Sequence, residues 1–145
     1  MSQPPSVEIT SFAEPDRGAF IGLWQACGLT RPWNDPSKDI DRKLSDPIGV
    51  FLVAKLDGEV IGSVMAGYDG HRGSINYLAV HPRRQRMGLG RRLMHEAESA
   101  LLKLGCPKIN LMVRRGNAEA AEFYEKLCYL GNDVVVLGKR LIPDV

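Results

Sequence analysis

Between Ser74 and Leu104 the spacing of apolar residues changes once, and that change limits the folds open to this chain. Up to Val80 the run reads as a strand. Beyond His81-Pro82, Leu89, Leu93, Ala97, Leu101 and Leu104 recur at intervals of four, four, four and three. Such spacing makes one face of a long helix, and Gly105 supplies its stop. A strand that passes through a short loop into an amphipathic helix implies a sheet for the helix to cover. The chain therefore reads as α/β or α+β.

The other segments fit that class. Val7 and Ile9 alternate with polar neighbours as in a first strand. Glu14-Pro15-Asp16 looks like a helix entry, Phe20, Leu23, Trp24 and Cys27 recur at helical spacing, and Gly28 ends that helix. Leu29 to Pro36 holds two prolines without a period and reads as a loop. Ser37 is placed to cap a second helix through Leu44, closed by Pro47. The runs Val50 to Leu56 and Val60 to Ala66 are joined by Asp57-Gly58, a pair suited to a hairpin turn in which both residues take positive φ. Gly67 to Gly73, GYDGHRG, leads into Ser74 to Val80, so three strands should form an antiparallel meander. Lys108 to Val113 reads as a strand, Asn117 to Leu127 as a helix and Val134 to Leu141 as a closing strand. The order is β-α-α-β-β-β-α-β-α-β, one domain over residues 1–145, with 1–6 expected as a flexible lead.

At 145 residues the chain has enough length for one core. Its formal charge of +2 argues against a basic nucleic-acid arm or an acidic tail. Three cysteines, Cys27, Cys106 and Cys128, are odd in number and widely spaced, so a disulfide framework is not expected and a reducing cytoplasm is. No secretory pattern opens the sequence, and no apolar run approaches the ~18 residues of a membrane span. The His and Cys positions lack zinc-like spacing, so no metal is expected.

Chemistry concentrates in Leu78 to Leu93, LAVHPRRQRMGLGRRL. A strand end, a basic loop and glycines at 88 and 90 open the long helix. The first N–H groups of a helix lack internal partners and sit at the positive end of its dipole. Glycines let an anion approach them, and Arg84, Arg86, Arg91 and Arg92 add donors suited to phosphate. The alternative is a solvated basic face. A dinucleotide fold fits less well: Leu93 occupies the third glycine position of GxGxxG, and only Asn110 stands where the ribose-binding acid would lie.

Gln85-x-x-Gly88-x-Gly90, after Leu78-Ala79-Val80 and before a long helix, resembles the acyl-CoA signature of the GNAT superfamily of N-acetyltransferases. Leu111-x-Val113 followed by Asn117-x-x-Ala120-x-x-Phe123-Tyr124-Glu125-Lys126-Leu127 is similar to the strand–helix module near that family's C-terminus. RPWNDP, GYDGHRG and LGKRLI resemble a small bacterial branch of the superfamily. The resemblance departs at two places, Arg86 and Cys128, where the family usually has glycine.

The resemblance implies a mixed, mostly antiparallel twisted sheet flanked by about four helices. It implies an enzyme that takes acetyl-CoA as co-substrate and lets a primary amine, on a small molecule, a protein N-terminus or a lysine, attack the thioester directly. Gln85, Arg86, Met87, Gly88, Leu89, Gly90 and Arg91 would hold the pyrophosphate. Leu78, Ala79 and Val80 would pair with the pantetheine amides, the N–H of Ala79 or Val80 facing the thioester oxygen. Asn117 would reach the pantetheine arm, and Tyr124 would protonate the leaving thiolate. Candidates for the base are Asp69 and His71, which also read as plain residues of a hairpin turn. Trp33, Asn34 and Asp35 are acceptor-site candidates; equally, Trp33 packs its loop on the core and the acids are solvated. A non-catalytic acyl-CoA-binding regulatory domain is the alternative to the enzyme, and nucleic-acid binding through the arginines is disfavoured by the charge balance. The closing strand offers an edge through which two copies could pair.

Overall fold

The computed structural model describes residues 6–145; most of the expected lead, residues 1–5, lies outside the described residues. Among the described residues, β1 (Val7–Ser11), β2 (Val50–Leu56), β3 (Glu59–Tyr68) and β4 (Gly73–Val80) pair antiparallel in chain order. β5 (Ile109–Asn110) joins β4 in parallel, giving one mixed five-stranded sheet in the order β1-β2-β3-β4-β5. The β2–β3 hairpin turns on Asp57 and Gly58, both left-handed at φ 50° and 80°, as its dipeptide led one to expect. Four α-helices accompany the sheet: α1 (Arg17–Ala26), α2 (Pro36–Leu44), α3 (Leu89–Lys103) and α4 (Ala118–Lys126).

Along β2 the residues alternate between two cores. Phe51 and Val53 pack with Phe20, Leu23 and Trp24 of α1 and Ile40 of α2. Ala54 and Leu56 pack with Leu89, Leu93, Met94, Ala97 and Leu101 of α3, against which Phe123 and Tyr124 of α4 and Leu127 just after it also lie. Successive strand residues face opposite ways, so α1 and α2 cover one face of the sheet and α3 and α4 the other. Burial on both faces is why the strand runs are continuously apolar.

Three expectations are corrected. First, Asp35, not Ser37, caps α2: its Oδ1 accepts from the N–H groups of Ser37 at 2.8 Å and Lys38 at 3.3 Å. Pro36 fits the first helical position, which leaves the cap to the residue before it. Second, Lys108 to Val113 contributes only two residues to the sheet, Ile109 and Asn110, after which the chain leaves β4. Third, Val134 to Leu141 is not a strand. Strand propensity describes fitness for a pleated surface, and the two-residue β5 offers no ladder long enough to join. Val134, Val135, Val136 and Leu137 instead lie exposed. Beyond them the chain is tied to α2 through Asp144, whose buried carboxylate accepts from Arg42 and from the N–H of Asp35, both at 2.7 Å.

Two glycines separate close approach from indifference. A Cβ on Gly73 would stand 2.8 Å from Cys106 Sγ and 3.1 Å from Leu101 Cδ1, whereas one on Gly22, exposed within α1, would meet nothing within 4 Å. Gly73→Ala is expected to destabilise the chain by about 1–3 kcal/mol through overpacking. Gly22→Ala is expected to stabilise it by about 0.5–1 kcal/mol. Urea denaturation of both variants checks this, and a reversed order would contradict the packing described.

Candidate active site

The sheet is irregular at the strand that carries the suspected thioester contacts. Ser63 pairs with Ala79 and Met65 with Asn76, so Tyr77 and Leu78 together oppose the single residue Val64. That two-to-one count is a β-bulge. Tyr77 sits there at φ 50°, in left-handed backbone that costs a non-glycine residue about 1 kcal/mol or more. Its surroundings hold it in place. The ring stacks on Trp24 at 3.9 Å between centroids, its C=O accepts from Ser63 Oγ at 2.8 Å, and its hydroxyl donates to Asp39 at 2.7 Å. Ser63 in turn accepts from Trp24 Nε1 at 2.9 Å, so the buried polar atoms are paired. Burial, and then the neighbouring Asp39, push the Tyr77 phenol above its ordinary pKa.

The Gly88–Gly90 turn follows. Arg86 and Gly88 are both left-handed, at φ 66° and 74°, and no side chain caps α3. Backbone that mixes left- and right-handed residues turns successive N–H groups toward one point, a concavity suited to an anion. The two glycines have different reasons to be there. Gly88 supplies the left-handed residue before the helix. Gly90 lets α4 close in: a Cβ there would stand 3.2 Å from the Phe123 ring and 3.7 Å from Val80. The end of β4, the start of α3 and the face of α4 thus meet at Gly90.

Phe123 brings Tyr124 with it, the two rings 5.1 Å apart, and Tyr129 closes the far side at 5.8 Å, fixed by a 2.6 Å hydrogen bond to Glu98. Tyr124 lines an open cleft of about 1680 Å³ between β4 and the chain that follows β5. The splay of those two segments opens it, and Val134, Val135 and Val136 form part of its wall. Burial alone pushes the Tyr124 phenol up to about 12, with no hydrogen bond contributing. The phenol therefore keeps its proton throughout the neutral range.

The remaining sequence candidates fall in different places. Asp69 lines the cleft, but its Oδ1 accepts from the N–H groups of His71 and Arg72 at 2.7 and 2.8 Å. These bonds, that of Arg72 foremost, hold its carboxyl below the usual carboxylate range. His71 lies exposed in the same turn. Asn117 caps α4, its Oδ1 accepting from Ala120 N–H at 3.1 Å, so its amide nitrogen is left for another partner. Trp33 is 52% exposed and does not pack its loop on the core. Asn34 bonds Asp39 at 2.6 Å and the Tyr77 hydroxyl at 3.1 Å, tying that loop to the bulge. Cys27 donates to the Val80 C=O at 3.3 Å, and burial pushes its thiol up, which suits a packed residue rather than a nucleophile.

The profile of the Acetyltransferase (GNAT) family matches residues 17–128, from the start of α1 to the turn after α4. The chain belongs to this family. It is an N-acetyltransferase with acetyl-CoA as co-substrate. An acetyltransferase of Pectobacterium atrosepticum is 51% identical over 138 residues, 95% of this chain and 98% of the relative. A protein of Yersinia pestis named as an uncharacterized N-acetyltransferase is 49% identical over the same shares of both chains. Among solved structures, an aminoglycoside N-acetyltransferase in complex with CoA superposes with a TM-score of 0.80 at 15% identity, over 98% of this chain and 99% of that one. The ribosomal-protein-S18-alanine N-acetyltransferase of Escherichia coli gives 0.72 at 24% identity, over 84% and 76%. These two show the shared fold.

Both departures from the GNAT pattern keep the glycine-like backbone. Arg86 is left-handed, and so is Cys128 at φ 70°. Around Cys128 the N–H of Tyr129 bonds the C=O of Tyr124 and that of Cys128 bonds Glu125, both at 3.0 Å, the usual double closure of a helix C-terminus. Sequence reasoning missed Tyr77 and Asp144. No periodicity marks a bulge, and the partners of Asp144 are about a hundred residues away in the chain.

Arg42 first, and then the Asp35 N–H, hold the Asp144 carboxyl down to about 2 from an ordinary 3.8. A carboxylate lowered on folding adds stability that is fully present above its unfolded pKa and lost as pH falls through the folded one. The stability difference between the parent and Asp144→Asn is therefore expected to be constant above about pH 5 and to shrink between about pH 4 and pH 2. Urea unfolding across that range checks it, and a difference that widens in acid would contradict the latch.

Proposed function

We propose that this acetyltransferase transfers the acetyl group to a primary amine that attacks the thioester directly, with Tyr124 as the proton donor to the departing sulfur. The observation that carries this reading is an unbonded phenol, its pKa raised by burial, on the wall of a cleft beside β4 and next to Phe123, which itself packs at Gly90 where the start of α3 lies near Val80. Acetyl-CoA would supply the activated acyl group. The residues around it would do the rest.

The uncapped N–H groups from Arg86 to Arg91, with Gln85 and Met87 in the approach, would hold the pyrophosphate. Alternate N–H groups along a strand point to opposite edges, and β5 leaves the outer edge of β4 unpaired beyond Ser74. One of Ala79 and Val80 thus turns its N–H to the open edge, where it can hold the thioester oxygen, while Leu78 and Asn117 face the pantetheine amides. The amine nitrogen loses a proton and bonds the acetyl carbon as the C–S bond breaks. Tyr124 gives its proton to sulfur and regains one from solvent. Of the two base candidates His71 is the stronger, since the two N–H groups on Asp69 stabilise its carboxylate and weaken it as a proton acceptor. The loop of Trp33, Asn34 and Asp35 would border the acceptor. Three free cysteines support a reducing cytoplasm, and no helix among the described residues is long and apolar enough to cross a membrane.

Tyr124→Phe removes the proton and little else. It is expected to lower kcat by roughly 10²-fold or more, with CoA affinity within about twofold of the parent. Thiol release from acetyl-CoA across an amine panel and calorimetric CoA titration measure the two quantities. A variant that turns over at the parent rate removes Tyr124 from the mechanism. Parent protein that binds CoA and acetylates no amine would favour the non-catalytic reading.

The exposed apolar segment Val134–Leu137 supports pairing of two copies. Light scattering is expected to give twice the 16.0 kDa chain mass, and Val135→Lys is expected to return it to one. A parent that is monomeric at micromolar concentration would end this proposal.

A further inference from the structure

The acids that a cationic acceptor would need are already engaged. Asp35 caps α2, Asp39 is bonded by Tyr77, Asn34 and Arg42, and Asp41 is paired with Arg17 at 2.7 Å. The cleft beside Tyr124 has the opposite character. One of its cations is offset, Lys43 lying 3.4 Å from Asp46, and the Arg72 guanidinium donates to the His71 C=O. Lys108, Arg114 and Arg115 also line it, and none of these three has a carboxylate within ion-pair distance among the described residues. Asn76, Asn110 and Asn132 add neutral hydrogen-bonding groups to the same walls.

A cleft with uncompensated cations and low-dielectric walls concentrates anions and repels polycations. The volume of about 1680 Å³ exceeds the roughly 300–1,000 Å³ of an ordinary small-ligand site, so it holds more than one extended group. We propose that the acceptor is an amine that also carries an anionic group, a carboxylate or a phosphate, held by Lys108, Arg114 and Arg115 while its nitrogen is presented beside Tyr124. This rests on the acetyl-transfer reading and narrows it: polycationic amines such as aminosugars and polyamines are excluded by charge. Guanidinium takes carboxylate and phosphate alike in two parallel bonds, so Arg114 and Arg115 serve either anion.

Amines that differ only in the anion test this. Glutamate is compared with glutamine, O-phosphoserine with serine, and spermidine serves as the polycation, each assayed by thiol release from acetyl-CoA. Binding of the same amines to CoA-saturated protein is followed by calorimetry. In one or both pairs the anionic member is expected to show at least tenfold higher kcat/KM, and the pair that responds identifies carboxylate or phosphate. Its affinity is expected to fall with added salt. The advantage should also shrink roughly tenfold in Lys108→Gln/Arg114→Gln, a loss of about 1.4 kcal/mol. Equal use of both members in both pairs, preference for spermidine, or an advantage untouched by the double variant overturns the proposal. Anionic amines that bind the CoA complex without thiol release would refute acetyl transfer and support the anion site. Absence of both binding and release with every anionic amine overturns it.

Discussion

Tyr77 holds left-handed backbone in the middle of a strand, and the arrangement of the site depends on what keeps it there. Trp24 stacks on its ring, Ser63 bonds its carbonyl and Asp39 accepts a hydrogen bond from its hydroxyl. Those partners come from α1, β3 and α2, so the bulge is fixed by three elements at once. Its consequence is a slip in alternation: Ile75 packs toward α3, while Tyr77 and Ala79 pack toward α1. The two-residue β5 then leaves the outer edge of β4 open, and that opening is the cleft. Strain of this kind persists only where packing over-determines it, and it collects at functional sites.

The second convergence is at Gly90. Without a side chain there, α4 comes close enough for Phe123 to touch the start of α3 beside Val80. Tyr124 is thereby carried to the mouth of the splay between β4 and the chain after β5. The Gly88–Gly90 turn, the free strand edge and Tyr124 come from separate stretches of chain, and one missing Cβ brings the helix that carries Tyr124 up to the turn. The C-terminal end is held by different chemistry. Asp144 reaches back to Arg42 and the Asp35 N–H, and Arg140 bonds Asn34 at 3.0 Å, so the last residues brace the loop of Asn34 and Asp35.

Parts of this were legible from residue order because they rest on local rules. The Asp57-Gly58 hairpin, the four-four-four-three face of α3 and the glycine stops need only neighbours within a few positions. The GNAT motifs are equally local, which is why the family, and with it the acetyl-CoA co-substrate, could be read from Gln85 to Gly90 and Asn117 to Leu127. The readings that went wrong had a non-local partner. Val134 to Leu141 has a strand's composition without a strand beside it. Lys108 to Val113 pairs for two residues only.

The sequence alone thus determined the order of elements as far as α4, the two-faced apolar strands, the family and the residue types able to hold a pyrophosphate or give up a proton. Periodicity and turn chemistry act over a few residues, and they survive in a string of letters. Tertiary structure decided which charges remain available. It tied Asp35, Asp39 and Asp41 to partners, left Lys108, Arg114 and Arg115 without carboxylates at ion-pair distance among the described residues, and placed those three in one cleft with Tyr124. Net charge sums over the chain, whereas a ligand meets only the charges that neighbours have not already neutralised, and neighbours are fixed by the fold.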